Sequence, residues 1–332
     1  MKKIVLSIYL FILTIVLASC GSSASLVDCN VKLEAFKARM ELNNGVVVDT
    51  NIDVLTEGVN MFNINSTSNV MFDPLYIELI NGSEVHNLIE KKEKIYTVDK
   101  MGDKYIAGYF CTSEELDSDY NFDSNYDDYF SIKNLSSLKI KNINNGYKIT
   151  YDLAEYFDNA EDGFIKNLYD NLDKKSIVRS DLTIDIIFNS ETNVKMIYFY
   201  EIDTKTDDYE ERMQVVQTLI FNIEKVSAIT SLDNCYLDVH SYLSSSIDNT
   251  TADLVGFDKF YLNSFDTGYT RIAFEKGTYE FIFDNEDVSI SLYDINKNKV
   301  ESVDGKTFNV NMDIYFIYFN TTADSFVSLV KK

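Results

Sequence analysis

Histidine is almost missing from this 332-residue chain, in which His86 and His240 are the whole supply. A Ser-His-Asp or Cys-His arrangement needs one of them, and the two lie far apart in unrelated stretches of sequence. A Gly-x-Ser-x-Gly elbow, an HExxH pair, a P-loop and a CxxC are absent too, which removes the usual starting points for nucleophilic hydrolysis, zinc proteolysis and nucleotide hydrolysis. Paired carboxylates of the glycosidase kind stay open, because acids occur throughout; an extracytoplasmic hydrolase is thus an alternative with no motif behind it. Trp is absent and Pro is limited to Pro74, a compositional bias from which no function follows. Positive charge is also short, at 30 Lys and Arg against 53 Asp and Glu. Phosphates of nucleic acids and anionic headgroups are gripped by clustered basic residues, so nucleic acid is not the expected partner and electrostatics are not the expected route to a membrane.

Another route is visible at the N-terminus. Met1-Lys2-Lys3 is followed by an apolar run over 4–18 and then by Leu17-Ala18-Ser19-Cys20. Basic start, greasy middle and small residues at the cut are the parts of an export signal in their usual order. The run is about fifteen residues where a spanning helix needs roughly twenty, which disfavours a permanent transmembrane helix. Leu-Ala-Ser-Cys resembles the lipobox of bacterial lipoproteins. The resemblance implies that 1–19 is removed and that Cys20 carries palmitate-type acyl chains. Two or more chains, at ~0.8 kcal/mol per buried methylene, anchor stably where one does not. Residues 20–27 then serve as lipidated Cys and tether, and the expected location is the extracytoplasmic side of a cell membrane.

What remains is long enough for two domains. A hydrophobic content of 45%, with 23 Tyr and 22 Phe, provides apolar surface for compact cores. Cys29, Cys111 and Cys235 follow the lipobox in a compartment that permits disulfides; an odd number leaves one unpaired, and any of the three pairings stays open.

Along 28–42, Leu33, Phe36 and Met40 fall on one helical face, and Asn43-Asn44-Gly45 supplies C-cap residues. Alternating segments follow at 46–55, 59–73, 75–80, 86–98 and 105–111, with turns such as Asn81-Gly82, so an antiparallel meander is expected. Strands at 138–142 and 147–153, a helix over 154–172, and strands at 182–188, 194–202 and 215–226 complete a first domain over 28–232. The order of elements, with phrases such as Glu93-Lys94-Ile95-Tyr96-Thr97-Val98 and Gly146-Tyr147-Lys148-Ile149-Thr150-Tyr151-Asp152-Leu153, resembles the LolA/LppX-like lipoproteins. That resemblance implies a half-barrel whose concave apolar face and helical lid hold acyl chains, with no catalytic residue.

Ser-rich 233–250 reads as a linker. Short strands then recur at 259–262, 269–274, 278–283, 289–293, 308–311, 314–320 and 325–330, the rhythm of a β-sandwich over 251–332. Glu275-Lys276-Gly277-Thr278-Tyr279-Glu280-Phe281 and 291–300 resemble bacterial pre-peptidase C-terminal modules, small jelly-roll-like domains that bind or localise. Asn311-Met312-Asp313 stands where those modules carry a Gly. The predicted class is mainly β (α+β): a large antiparallel half-barrel sheet with covering helices, then a small sandwich.

Two candidate sites emerge. Asp117, Asp119, Asn121, Asp123 and Asp128 have spacing loosely like a Ca²⁺ loop, but Phe122 occupies the place of the turn glycine and the last position is Asp rather than Glu. A solvated acidic insertion is the plainer reading. Among the strands, Phe62, Ile64, Tyr76, Tyr109, Phe199 and Phe221 bring more apolar area than a surface sheet needs, and strand alternation allows only some of them to share a face. Either the helices cover that face or a cavity remains for a lipid or other hydrophobic ligand. The expected function is therefore a non-enzymatic, membrane-anchored envelope lipoprotein that binds or carries a hydrophobic or amphipathic molecule. The alternative is a structural or adhesive surface lipoprotein meeting an envelope protein or polysaccharide. No cofactor is implied other than the candidate Ca²⁺.

Overall fold

A computed structural model of the chain describes residues 25–73, 75–112, 115, 127–159, 164–206, 209–251, 253–254 and 256–332. The signal segment, Cys20 and four of the five candidate Ca²⁺ ligands (Asp117, Asp119, Asn121 and Asp123) lie outside them. The described residues form two compact units: one runs to His86 and resumes from 115 to Ala228, and the other joins Asn87–112 to Ile229–Lys332.

The first unit opens with helix α1 (Leu26–Asn43). The Ser25 side chain caps it by accepting from the Asp28 amide at 3.0 Å, and Asn44 ends it in the left-handed region, its amide donating to the Glu41 carbonyl at 3.1 Å. Leu33, Phe36 and Met40 are buried, as the spacing predicts, and Cys29 extends the stripe by one turn. The strands are β1 (Val46–Thr56), β2 (Val59–Phe72), β3 (Leu75–Asn81), then β7 (Lys139–Ile143), β8 (Gly146–Asp152), β9 (Ile177–Ser190), β10 (Asn193–Lys205) and β11 (Glu210–Asn222). Their spatial order is β3-β2-β1-β11-β10-β9-β8-β7, antiparallel throughout.

Period two is plain on β10: Val194, Met196, Tyr198, Tyr200 and Ile202 are buried, and the residues between them are not. The same face continues through Phe221 and Leu219 of β11 and Leu182, Ile184 and Ile186 of β9. Strands β9 and β11 start earlier than the sequence predicts, in polar stretches where Arg179 pairs with Asp181 on the same strand and Arg212 pairs with Asp203 directly across the ladder on β10. The helix expected over 154–172 is two short ones, α2 (Leu153–Asp158) and α3 (Phe164–Asp170). Asp152 caps α2 by accepting from the Glu155 amide at 3.0 Å, and Asn159 closes it.

In the second unit one sheet has the order β4-β5-β6-β12-β13-β20-β15-β18, formed by β4 (Glu84–Lys91), β5 (Lys94–Met101), β6 (Lys104–Thr112), β12 (Tyr236–Asp238), β13 (Lys259–Leu262), β20 (Ser325–Lys331), β15 (Gly277–Phe283) and β18 (Thr307–Val310). A second sheet is β14-β19-β16-β17, from β14 (Thr267–Phe274), β19 (Asp313–Thr321), β16 (Val288–Tyr293) and β17 (Lys299–Val300). The sheets meet through rings such as Phe260 of β13 and Phe319 of β19, both fully buried with centroids 6.0 Å apart. The strands expected after 251 are therefore present in a sandwich, and the mainly β class holds for both units.

Two organisational expectations change. The strands over 87–112 sit in the second unit rather than in a continuous domain over 28–232. Residues 233–250, expected as a linker, contain β12, whose Leu237 is buried and which pairs in parallel with both β6 and β13. Three residues of strand inside a Ser-rich stretch give too little alternation to read. The segment expected as one strand over 86–98 is two, turned at Lys92 and Glu93 with φ of 54° and 61°. That turn carries neither Asn nor Gly, which is why its sequence does not announce it. Finally, Cys29, Cys111 and Cys235 are all buried, and no disulfide joins them to one another.

Candidate functional site

The helix-bearing face of the first unit is where the sequence places a ligand. Phe36 of α1 lies 5.6 Å from Phe130, which lies 5.0 Å from Phe221. Tyr129 continues to Tyr198 at 6.2 Å, Tyr198 to Tyr200 at 6.3 Å, Phe157 of α2 faces Tyr200 at 6.2 Å, and Tyr169 of α3 meets Phe157 at 5.1 Å. All are within the 4.5–7 Å range of contacting rings, so helices and sheet touch directly along this chain of aromatics. Burial pushes the Tyr198 and Tyr200 hydroxyls well above their ordinary range.

The segment between the short 3₁₀ helix Asp127–Phe130 and β7 is tied down by polar contacts. The Ile132 amide donates to Asn30 of α1 at 3.0 Å, and the Tyr151 hydroxyl donates to the Lys133 carbonyl at 2.6 Å. Glu155 of α2 accepts from the Ser136 hydroxyl and amide at 2.7 and 2.8 Å and from the Ser137 amide at 2.9 Å. Hydrogen bonding from Ser137 and Ser136 holds its carboxyl down at about 2.

Cover is uneven along the face. The register Val54↔Phe62 and Ile52↔Ile64 puts Phe62 and Ile64 on the side of the sheet that carries Phe221, yet they are 40% and 37% exposed. On the same hairpin Val59 and Met61 are each 63% exposed. Of the six aromatic and aliphatic candidates, this face holds Phe62, Ile64 and Phe221. Tyr76 and Phe199 point to the opposite face, and Tyr109 belongs to β6 of the second unit. The six therefore do not form one site, as alternation and the split of the strands require. Asp128 lies in the 3₁₀ helix, and among the described residues no group of three or more His, Cys, Asp or Glu could hold a metal.

The opposite face is polar, a feature that the hydrophobic pattern of these strands does not bring out. Asn51 of β1 donates to Asn65 of β2 at 2.6 Å, Asn63 donates to Asp53 at 2.7 Å, and Thr67 donates to Asp49 at 2.7 Å. These rows border a cleft of about 320 Å³ with Ile80, Thr218 and Ile220. Alternate Asn and Asp at 49, 51, 53, 63 and 65 were the available signal.

In the second unit, exposed His240 is bound through Nδ1 to Oδ1 of Asp266 at 2.6 Å, and Asp266 is only 4% exposed. Asp266 Oδ2 also accepts from the Asn263 amide at 2.8 Å, which fixes the carboxylate. The hydrogen bond that the ring Nδ1–H donates to the Asp266 carboxylate raises the imidazole pKa above its ordinary value. A raised folded-state pKa adds stability that is complete below the unfolded-state pKa and disappears as pH climbs through the folded one. Exposure of the ring keeps that contribution small. An NMR titration should place His240 above the ordinary value of about 6.5, and Asp266→Asn should bring it back down; an unmoved titration in that variant would refute the pairing. Burial also pushes the Cys235 thiol up to about 11, so it is not a reactive thiolate at neutral pH.

No helix among the described residues is long and apolar enough to cross a membrane. No protein-family model matches the chain, and no curated protein matches it. Among solved structures, one similar chain is the Mycobacterium tuberculosis lipoprotein LppX, at 12% identity over 56% of this chain and 92% of that one, with a TM-score of 0.21. At that TM-score the likeness carries no conclusion about this protein.

Proposed function

We propose that this protein is a non-enzymatic lipoprotein of the cell envelope, anchored through Cys20, whose first unit binds an apolar or amphipathic molecule at the open end of its helix-bearing sheet face. The anchor rests on the basic, apolar and small-residue order that ends at Cys20. The ligand site rests on one observation: Phe62 and Ile64 stay more than a third exposed on a face that elsewhere is closed by rings. Large apolar side chains grouped on one exposed hairpin mark a place where another apolar surface is expected. The non-enzymatic reading rests on the histidines, since His86 is 4.0 Å from Glu84 and His240 is tied to Asp266, and neither bonds a Ser or Cys among the described residues.

A structural or adhesive surface protein is the second reading. It is favoured by the aromatic chain, which fills the interval that a deep lipid cavity would need. The two are separated by native mass spectrometry of residues 21–332 after incubation with envelope phospholipids. The carrier reading predicts a bound adduct that Phe62→Ser with Ile64→Ser abolishes while circular dichroism stays unchanged. An apo mass that never shifts would leave the structural reading in place.

A further inference from the structure

The second unit holds a concentration of positive charge that is unexpected in a chain with 53 acids and 30 bases. The β4–β5 hairpin brings Lys91, Lys92 and Lys94 to the rim of a cleft of about 160 Å³. Its floor is formed by Tyr96, Leu237, Tyr242 and Phe257, each at most 9% exposed. The Tyr96 and Tyr242 hydroxyls are hydrogen-bonded to each other, and the Tyr96 and Phe257 rings lie 5.4 Å apart.

The charges do not cancel locally. Lys91 is committed, with Nζ at 2.8 Å from Asp233, 3.0 Å from the Gly256 carbonyl and 4.9 Å from the Phe257 ring centre. Asp253, the acid that lines the cleft, is ion-paired to Arg271 at 2.7 Å. Lys92 and Lys94 have no carboxylate partner among the described residues; the Lys94 ammonium lies 5.9 Å from the Tyr109 ring centre. Moreover, Lys94 stands directly across the ladder from Lys91, and like charges opposite each other destabilise a strand pair unless something neutralises them. The turn that gathers these ammonium groups is held with positive φ at both Lys92 and Glu93, a conformation that side-chain-bearing residues adopt at a cost.

We infer that this cleft binds a phosphate group. Two unpaired ammonium groups supply the charge for a phosphate ester, which carries about −1.5 to −2 at neutral pH with three acceptor oxygens. The tyrosine pair adds one donor at the floor, the Tyr96 hydroxyl, since the Tyr242 proton is spent on Tyr96, and the rings of Tyr96 and Phe257 offer a surface for the carbon atoms attached to the ester. The phosphate could come from a soluble ester or from a phospholipid headgroup, which present the same oxygens.

The test uses residues 21–332, which keep every described residue, and inorganic phosphate and glycerol 3-phosphate as probes in amide NMR titrations. Phosphate should shift Tyr96, Tyr242 and Leu237 saturably, and acetate at equal ionic strength should not. Lys92→Asn with Lys94→Gln should weaken binding by roughly tenfold or more, because two charge-assisted hydrogen bonds go. Asn is chosen at 92 because it accepts positive φ, and an unchanged melting curve verifies the fold. A parallel arm measures co-sedimentation with phosphatidylglycerol vesicles. Binding of the soluble ester alone assigns a soluble source, and binding of vesicles that the double variant loses assigns a headgroup. Absence of both, or equal binding by the variant, overturns the inference.

Discussion

Gly146→Ala should destabilise the first unit by about 3 kcal/mol, at the upper end of the usual cost of overpacking. Gly146 opens β8 opposite Ile187 of β9, and a Cβ there would sit 1.8 Å from the Ile186 carbonyl oxygen and 2.9 Å from its carbon. Both are backbone atoms of the β8–β9 ladder, so no flexible side chain can move aside. Relief requires β8 to part from β9, which removes ladder hydrogen bonds and shifts Ile149 and Tyr151, both buried against the helices. Gly58→Ala is the control: φ there is +76° but open space surrounds the position, so only conformational strain of about 1 kcal/mol applies. Urea unfolding followed by far-ultraviolet circular dichroism compares the two. Equal midpoints would show that β8 yields to β9 at no cost, contrary to this packing.

That glycine illustrates what a sequence states and what it withholds. Asn144-Asn145-Gly146 is legible as a turn, and the turn is there, with Asn145 at φ 58°. The close approach to Ile186 is not legible, because it depends on which strand lies alongside. The same division holds elsewhere. The buried stripe of α1 and seven of the eight strands after 251 follow from local periodicity, which a single segment carries by itself; the two-residue β17 is too short to show any. The membership of 87–112 in the second unit depends on β12, a three-residue strand that pairs with β6 and with β13. Pairing between segments more than a hundred residues apart leaves no periodic trace in either.

The candidate site was legible to a similar degree. Hydrophobicity identified Phe62, Ile64, Tyr76, Phe199 and Phe221, but facing is set by register. Val54↔Phe62 and Phe199↔Val216 assign Phe62 and Phe199 to opposite faces, and that assignment also needs the β1–β11 pairing, which joins segments about 160 residues apart. The lysine cleft was harder still: Lys91, Lys92 and Lys94 are ordinary in a sequence, and only Tyr242 and Phe257 arriving beneath them make a concavity. The aspartate-rich segment presents the converse case, a pattern visible in the sequence whose first four oxygen donors fall outside the described residues.

Phe221→Ala should cost about 3–5 kcal/mol, the range for an aromatic removed from a closed core. Its ring is fully buried and touches Tyr129 at 6.0 Å and Phe130 at 5.0 Å, the second of which links Phe36 of α1 to the sheet. Phe199, on the neighbouring strand, differs in facing: it pairs with Val216 on the opposite side and is only partly buried, so Phe199→Ala should cost about 1 kcal/mol. The pair of unfolding midpoints therefore measures which face is the core. It also bears on ligand binding. If the interval beneath the helices were hollow around Phe221, removing the ring would enlarge an existing space and cost little, because lost contacts and cavity formation are what make such a substitution expensive. A large cost at Phe221, together with ligand binding that responds to Phe62 and Ile64 instead, would place the apolar ligand at the open end of the face and make the aromatic chain the wall against which that end is held.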